Sequence, residues 1–177
     1  KDFIESLVSH IKSSVKPVLY VGGGCLNSGL KASEELIKFA ELTNIPVTTT
    51  LHGLGCYPGN GKLSIGMLGM HGTYEANLAM HNCDLMINVG ARFDDRITGR
   101  LDAFSPNSTK FHFDIDKSSI NKNVNVDLAI TSDVSELLEK LISKFKAKNK
   151  DFINSNKEKI SKWWTQIDKW REKKSLN

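Results

Sequence analysis

The chain has 177 residues, 40% hydrophobic and 25% charged, which suits one globular domain with a substantial core. No apolar run approaches the roughly 18 residues that cross a bilayer, so no membrane contact is expected; the start, Lys1-Asp2-Phe3-Ile4-Glu5, has neither a signal-peptide layout nor an initiator Met, as expected of an excised piece. The net charge of +4 is uneven: residues 144–177 carry 11 Lys/Arg against 4 Asp/Glu and residues 1–143 carry 13 against 16, so the basic character belongs to the tail.

Phe3, Ile4, Leu7, Val8, Ile11 and Val15 recur at helical spacing and predict a first helix, broken by Lys16-Pro17. Val18-Leu19-Tyr20-Val21 predicts a buried strand running into Gly22-Gly23-Gly24. Helical spacing returns over 30–43, with Leu36, Ile37, Phe39, Ala40 and Leu42 toward a core. Pro46 opens the run Val47-Thr48-Thr49-Thr50, and a glycine-rich loop from Gly53 to Gly61 follows. Thr73 to Asn82 reads as a short helix with Thr73 as N-cap and Glu75 in the first turn, where its charge suits the helix dipole.

Leu85 to Val89 is a third strand, ended by Gly90 and followed by a polar loop from Arg92 to Arg100. Phe111 to Ile115 is a fourth strand, Leu128-Ala129-Ile130 a fifth, and a helix from about Asp133 to Phe145 closes the unit. This alternation predicts an α/β fold: a Rossmann-like parallel sheet of five or six strands with helices on both faces, its ligand at the carboxyl ends of the strands. The main domain is expected over 1–145, with 146–177 a basic linker and a C-terminal amphipathic helix. On that helix Ile153, Ile160, Trp163, Trp164, Ile167 and Trp170 form one face, more than a solvated tail needs. The reading favoured is packing on a partner rather than on this domain, which would leave the chain prone to self-association.

Cys25, Cys56 and Cys83 are odd in number and form no C-x-x-C pair, which argues against a disulfide framework or a zinc site and fits a reducing compartment. The glycines after the first strand let backbone approach a phosphate at a helix start, or make a tight turn under helix–sheet packing. Their spacing matches neither G-x-G-x-x-G nor a P-loop. His71 could act as a base or a ligand, but no second ligand stands at metal spacing. Arg92, Asp94, Asp95 and Arg96 crowd the end of the third strand, where guanidiniums can hold a pyrophosphate or lock a loop by ion pairs.

Asp114 and Asp116 end the fourth strand, where a carboxylate can accept from ribose hydroxyls. No Ser-His-Asp or Cys-His set is legible. The glycine loop and Asp114 motivate an alternative, an NAD(P)-binding dehydrogenase module. The basic tail raises nucleic-acid binding, disfavoured because no aromatic-rich RNA motif accompanies it.

Four stretches in order carry a resemblance: Lys16 to Gly24, Ile45 to Leu51, Gly66-Met67-Leu68-Gly69-Met70-His71-Gly72-Thr73-Tyr74-Glu75-Ala76-Asn77, and Val89-Gly90-Ala91-Arg92-Phe93-Asp94-Asp95-Arg96-Ile97-Thr98-Gly99. They resemble the middle domain of the acetolactate synthase catalytic (large) subunit, and Trp163 to Trp170 is similar to the segment leading toward that family's third domain. The resemblance implies a thiamine-diphosphate transferase that condenses two pyruvates, or pyruvate with 2-oxobutyrate, to 2-acetolactate or its homologue in branched-chain amino-acid synthesis. Its middle domain holds FAD, which takes no redox part in the main reaction.

By the same resemblance Gly22, Gly23 and Gly24 lie against the flavin nucleotide's phosphate and ribose. Thr50, Leu51 and His52 line the flavin, and Leu68, Gly69, Met70 and His71 border its ring. Gly90, Ala91, Arg92, Asp94, Arg96 and Ile97 hold the ribityl-pyrophosphate stretch, and Asp114, Ile115 and Asp133 face the adenosine. Met70, Asp95 and Arg96 also come near the channel where the family's herbicides bind. His52 stands where members often carry Met, Gln or Leu, and Ser132 where Gly is usual.

The family's thiamine-activating Glu belongs to its first domain and its Gly-Asp-Gly motif to its third; no Gly-Asp-Gly occurs here. The chain alone is therefore expected to bind neither thiamine diphosphate nor Mg2+, and to leave pyruvate unconverted. The implied partners are the enzyme's own N- and C-terminal domains, further large subunits and a small regulatory subunit. The implied location is the cytoplasm, or the plastid in a photosynthetic eukaryote.

Overall fold

The computed structural model describes residues 2–147 and 150–173, at 150–152 through the backbone alone. Lys1 of the opening segment, and residues 148–149 and 174–177 of the basic tail, lie outside the described residues. The Asp2 carboxylate caps helix α1 (Phe3–Ser13), and Pro17 opens strand β1 (Pro17–Val21). Helix α2 (Gly23–Asn27) is short; α3 (Leu30–Thr43) ends on Asn44 in the left-handed region. Strands β2 (Val47–Thr49) and β3 (Ser64–Met67) precede α4 (Tyr74–Asn82), which the Thr73 hydroxyl caps by accepting the Ala76 amide. Then come β4 (Leu85–Val89), α5 (Asp95–Thr98), β5 (Thr109–Asp114), β6 (Leu128–Thr131), α6 (Val134–Lys146), α7 (Lys150–Lys159) and α8 (Ser161–Arg171).

The sheet is six-stranded, in the order β3-β2-β1-β4-β5-β6, and every pairing is parallel. The chain winds outward from β1 to one edge, then returns to β4, so the switch point falls between β1 and β4. Leu19, Val21, Ile87, Val89, Phe111 and Phe113 face a core shared with α1, α3 and α6. Val18, Tyr20 and Met86 face the other core, with α4, α8 and the segment around Phe93. Burial on both faces is why these strands read as unbroken apolar runs. Each large apolar side chain so withdrawn from water contributes about 1.5–3 kcal/mol before entropy is counted. Among the described residues no helix is long and apolar enough to cross a membrane.

The strand total is six, within the expected five or six, and the strand not placed from the sequence is Ser64–Met67, which pairs with β2 at the sheet edge. Its pattern is illegible in sequence: Gly66 has φ +85°, Ser64 and Met67 are half-buried, and the register slips between Val47 and Thr49.

The tryptophan helix docks on this domain, against the expectation of a partner. Trp163 is 3% exposed and Ile167 fully buried. The reason is hydrogen bonding as well as area. The last carbonyls of a helix lack intrahelical partners, and the tail supplies donors to them. Lys159 Nζ donates to Ile11 (3.1 Å) and Lys12 at the end of α1. Asn156 Nδ2 donates to Thr43 at 3.2 Å and Trp164 Nε1 to Asn44 at 2.8 Å, at the end of α3. Trp163 Nε1 donates to Pro17 at 3.2 Å, and Arg171 to the Ser64 carbonyl. Helices α7 and α8 thus strap the amino ends of β1 to β3, and the face that the self-association reading needed exposed is covered.

Candidate functional site

The carboxyl ends of the strands bring four loops together. At the switch point the Gly22 amide donates to Val89 (2.9 Å), the Gly24 amide to Gly90 (3.0 Å) and the Gly90 amide to Phe113 (2.9 Å). A Cβ on Gly22 would stand 2.3 Å from the Gly90 oxygen, and one on Gly24 2.9 Å from the Gly90 Cα. Gly90 itself has φ +63°, a conformation other residues adopt at a cost. The glycines therefore exist for loop-on-loop contact, and the amides of Gly22 and Gly24 are engaged inside the protein rather than offered outward.

The second loop follows β2. The Thr50 amide donates to Val21 (2.9 Å), and its hydroxyl accepts the Gly53 amide (3.0 Å), which folds Leu51 and His52 outward. His52 Cβ lies 3.0 Å from where a Cβ on Gly23 would be. The third loop follows β3. The Leu68 amide donates to Thr49 (3.1 Å), and Asn77 clamps Gly69 from both sides, accepting its amide at 2.8 Å and donating to its carbonyl at 2.9 Å. The fourth is joined to the third where the Met70 amide donates to Arg96 at 3.1 Å and a Cβ on Gly69 would meet the Ile97 side chain at 3.3 Å. Segments 22–24, 50–53, 68–71 and 90–97 thus form one continuous rim.

On that rim Leu51 and Met70 are 64% and 68% exposed, while Leu68 and Ala91 are buried beneath it; Ile115, just past the end of β5, is 63% exposed. His52, His71, Arg92 and Arg96 are also exposed. Arg92 pairs with Asp94 at 3.1 Å, a solvent-exposed contact worth little in stability. Asp95 accepts the Arg96 amide at 2.9 Å.

Asp114 does not reach the rim as an open carboxylate. It is 6% exposed, accepts the Asp116 amide at 2.9 Å, and has an oxygen 3.7 Å from His112 Nε2. Burial opposes its ionisation, but His112 and the Asp116 amide outweigh that and hold the carboxyl below its ordinary value. Asp133 caps α6, accepting the Ser135 amide (2.8 Å) and hydroxyl (2.6 Å). That hydroxyl above all, with Ser28 at the end of α2, keeps its carboxyl below the usual range despite some burial.

Three supporting residues, Asn77, Asn88 and Phe93, were given no role in the sequence reading. Asn88 sits amid the apolar run Leu85 to Val89, and that misfit was the available signal. Phe93 has φ +56°, is 1% exposed, and packs against Tyr20 and His112 at ring distances of 5.3 and 5.4 Å. Among the described residues no three His, Cys, Asp or Glu side chains gather as a metal site requires.

A parallel sheet of this order, with glycine loops interlocked at its switch point, defines a domain of the Rossmann-like α/β class. The chain belongs to the thiamine pyrophosphate enzyme central-domain family, which matches residues 4–141. It is 50% identical over 161 residues to the acetolactate synthase large subunit of Buchnera aphidicola subsp. Schizaphis graminum, covering 91% of this chain and 27% of that protein. Identity is 40% over 176 residues with the acetolactate synthase isozyme 3 large subunit of Escherichia coli, covering 99% and 30%. With the chloroplastic acetolactate synthase of Arabidopsis thaliana it is 51% over 136 residues, covering 77% and 20%. The chain therefore spans less than a third of the length of these relatives.

Proposed function

We propose that this chain is the FAD-holding middle domain of an acetolactate synthase large subunit, with the flavin nucleotide extended along the strand-tip rim. The observation that carries the reading is convergence. The four motif stretches are separated in sequence, yet Gly24 bonds to Gly90, Gly23 abuts His52, and Met70 bonds to Arg96. The rim suits the chemistry of a flavin nucleotide. Leu51 and Met70 offer apolar area to the flavin ring and Ile115 to the adenine, and the exposed Arg92 guanidinium would hold the pyrophosphate. An NAD(P) module is less well served, because the carboxylate of Asp114 is buried and engaged.

In the longer protein the proposed activity is condensation of two pyruvates, or of pyruvate with 2-oxobutyrate. Thiamine diphosphate and Mg2+ would be held by the flanking domains. The relatives' description as large subunits supports partnership with further large subunits and a small regulatory subunit. The bacterial and chloroplastic relatives support a cytoplasmic or plastid location.

Titration of the chain with FAD tests the cofactor assignment. Flavin fluorescence is expected to be quenched, the thermal midpoint to rise, and Arg92→Ala to weaken binding about tenfold through loss of a charge-assisted contact. An unchanged midpoint with FAD, together with a raised one on NADH, would replace this reading by the dehydrogenase one.

A further inference from the structure

Past the tip of β3 the backbone leaves the ladder of the sheet, and at Gly69 a side chain takes over the role of a neighbouring strand. A carboxamide carries the same kind of donor and acceptor as a peptide group. Asn77 Oδ1 accepts the Gly69 amide at 2.8 Å, and Asn77 Nδ2 donates to the Gly69 carbonyl at 2.9 Å. Gly69 has φ +100°, a conformation that a glycine leaves readily unless its surroundings hold it there.

The clamp stands on a fixed base. Asn77 lies in the first turns of α4, and the Thr73 hydroxyl that caps this helix also donates to the Ile65 carbonyl of β3 at 2.7 Å. One residue beyond the clamp, the Met70 amide donates to the Arg96 carbonyl at 3.1 Å, while the Met70 side chain stands exposed. Backbone bonds rather than side-chain packing therefore set where Met70 stands. The Arg92 end of the same rim has supports of its own. Asn88 holds Ala91, and Asn123 Nδ2 donates to the Phe93 carbonyl at 3.0 Å.

We propose that Asn77 is a positioning residue for the flavin-ring end of the rim. Through Gly69 it fixes Met70 and the Arg96 backbone, and it leaves the pyrophosphate end at Arg92 to other supports. The role rests on the FAD reading of the rim.

The test compares FAD with ADP, which keeps the adenosine and pyrophosphate and lacks the ring. Asn77→Ala is expected to weaken FAD about tenfold, for want of two hydrogen bonds, and to leave ADP unchanged. The visible absorption band of bound FAD should shift in this variant, because the ring's surroundings have moved. Asn77→Asp keeps the size but sets a carboxylate oxygen against the Gly69 carbonyl, and should show the same split between the two ligands. Arg92→Ala should weaken both ligands and leave the band in place. Equal loss of FAD and ADP in both Asn77 variants, or no loss of either, would overturn the positioning role and leave the FAD reading standing. A native chain that binds no FAD would overturn both.

Discussion

Asn88 and Ala91 exchange two hydrogen bonds: the Asn88 carboxamide donates to the Ala91 carbonyl at 2.8 Å and accepts the Ala91 amide at 2.9 Å. Both residues are buried, so a strand side chain in the second core fixes the first turn of the loop that carries Arg92 to Ile97. Asn88→Leu keeps the size and strands two buried backbone groups. A loss of about 3 kcal/mol in a urea titration is expected, with weaker flavin quenching. A loss within about 0.5 kcal/mol, the range of an ordinary surface change, would show that the loop holds itself.

The interlocked glycines give a sharper contrast. An Ala at Gly22 places its methyl 2.3 Å from the Gly90 oxygen and 2.5 Å from the Ala91 Cα, and backbone cannot swing aside as a side chain does. Gly22→Ala is expected to cost about 3 kcal/mol or to prevent folding. Gly59 has nothing within 4 Å of such a methyl among the described residues, so Gly59→Ala should stay within about 0.5 kcal/mol. Thermal denaturation of the pair distinguishes steric contact from a general intolerance of alanine.

Docking of α8 predicts that Trp163→Ala costs about 3–5 kcal/mol, the range for emptying a buried aromatic site. Tryptophan emission should be blue-shifted in the native chain and move red on unfolding. Red-shifted native emission, or concentration-dependent elution at dilute protein, would return the tryptophans to a surface role.

Acid stability follows from Asp133 and Asp114, whose carboxyls are both depressed in the folded chain. A depressed carboxyl contributes stability that is complete above its unfolded value of about 4 and disappears as pH falls through its lower folded value. The urea midpoint should therefore be level from neutrality to about pH 5 and drop below about pH 4. Asp133→Asn preserves a cap and should flatten part of that drop, while Asp133→Ala should lose about 1 kcal/mol at neutral pH. A drop of the same size in Asp133→Asn would assign it to other carboxyls.

The thiols give a simple chemical check. Cys25, Cys56 and Cys83 are free and buried, and burial pushes the Cys83 thiol up to about 11 although Ser105 and Ser108 pull the other way. The neighbouring Cys56, together with burial, raises the Cys25 thiol, while Cys25 lowers that of Cys56. A thiol reagent at neutral pH should label none of the three until urea is added, because only an accessible thiolate reacts. Immediate labelling of Cys56 would show that the loop after β2 opens in the native state.

Much of the fold was legible because the sheet is buried on both sides, so β1, β4 and β5 declare themselves as apolar runs. The cap Thr73 was equally visible, whereas the capping role of Asp133 was not read. The strand β3 was hidden by a left-handed glycine inside it, a property of backbone geometry that periodicity does not encode. The glycine loop, the segment around His71 and the charged cluster stood out by residue type, and the family resemblance supplied the remaining rim residues, but their internal roles were not legible. Nothing in Gly22-Gly23-Gly24 announces that its contact is Gly90, some 66 residues away. Nor does a lysine-rich tail announce that Lys159 and Asn156 complete the ends of α1 and α3, since orphan carbonyls have no letter in a sequence.

Because all six strands run the same way, the molecule is polarised end to end. One pole carries the interlocked loops of the rim; the other is stitched shut by a C-terminal clasp. The two are held by separate sets of hydrogen bonds, so a change in one leaves the bonds of the other in place.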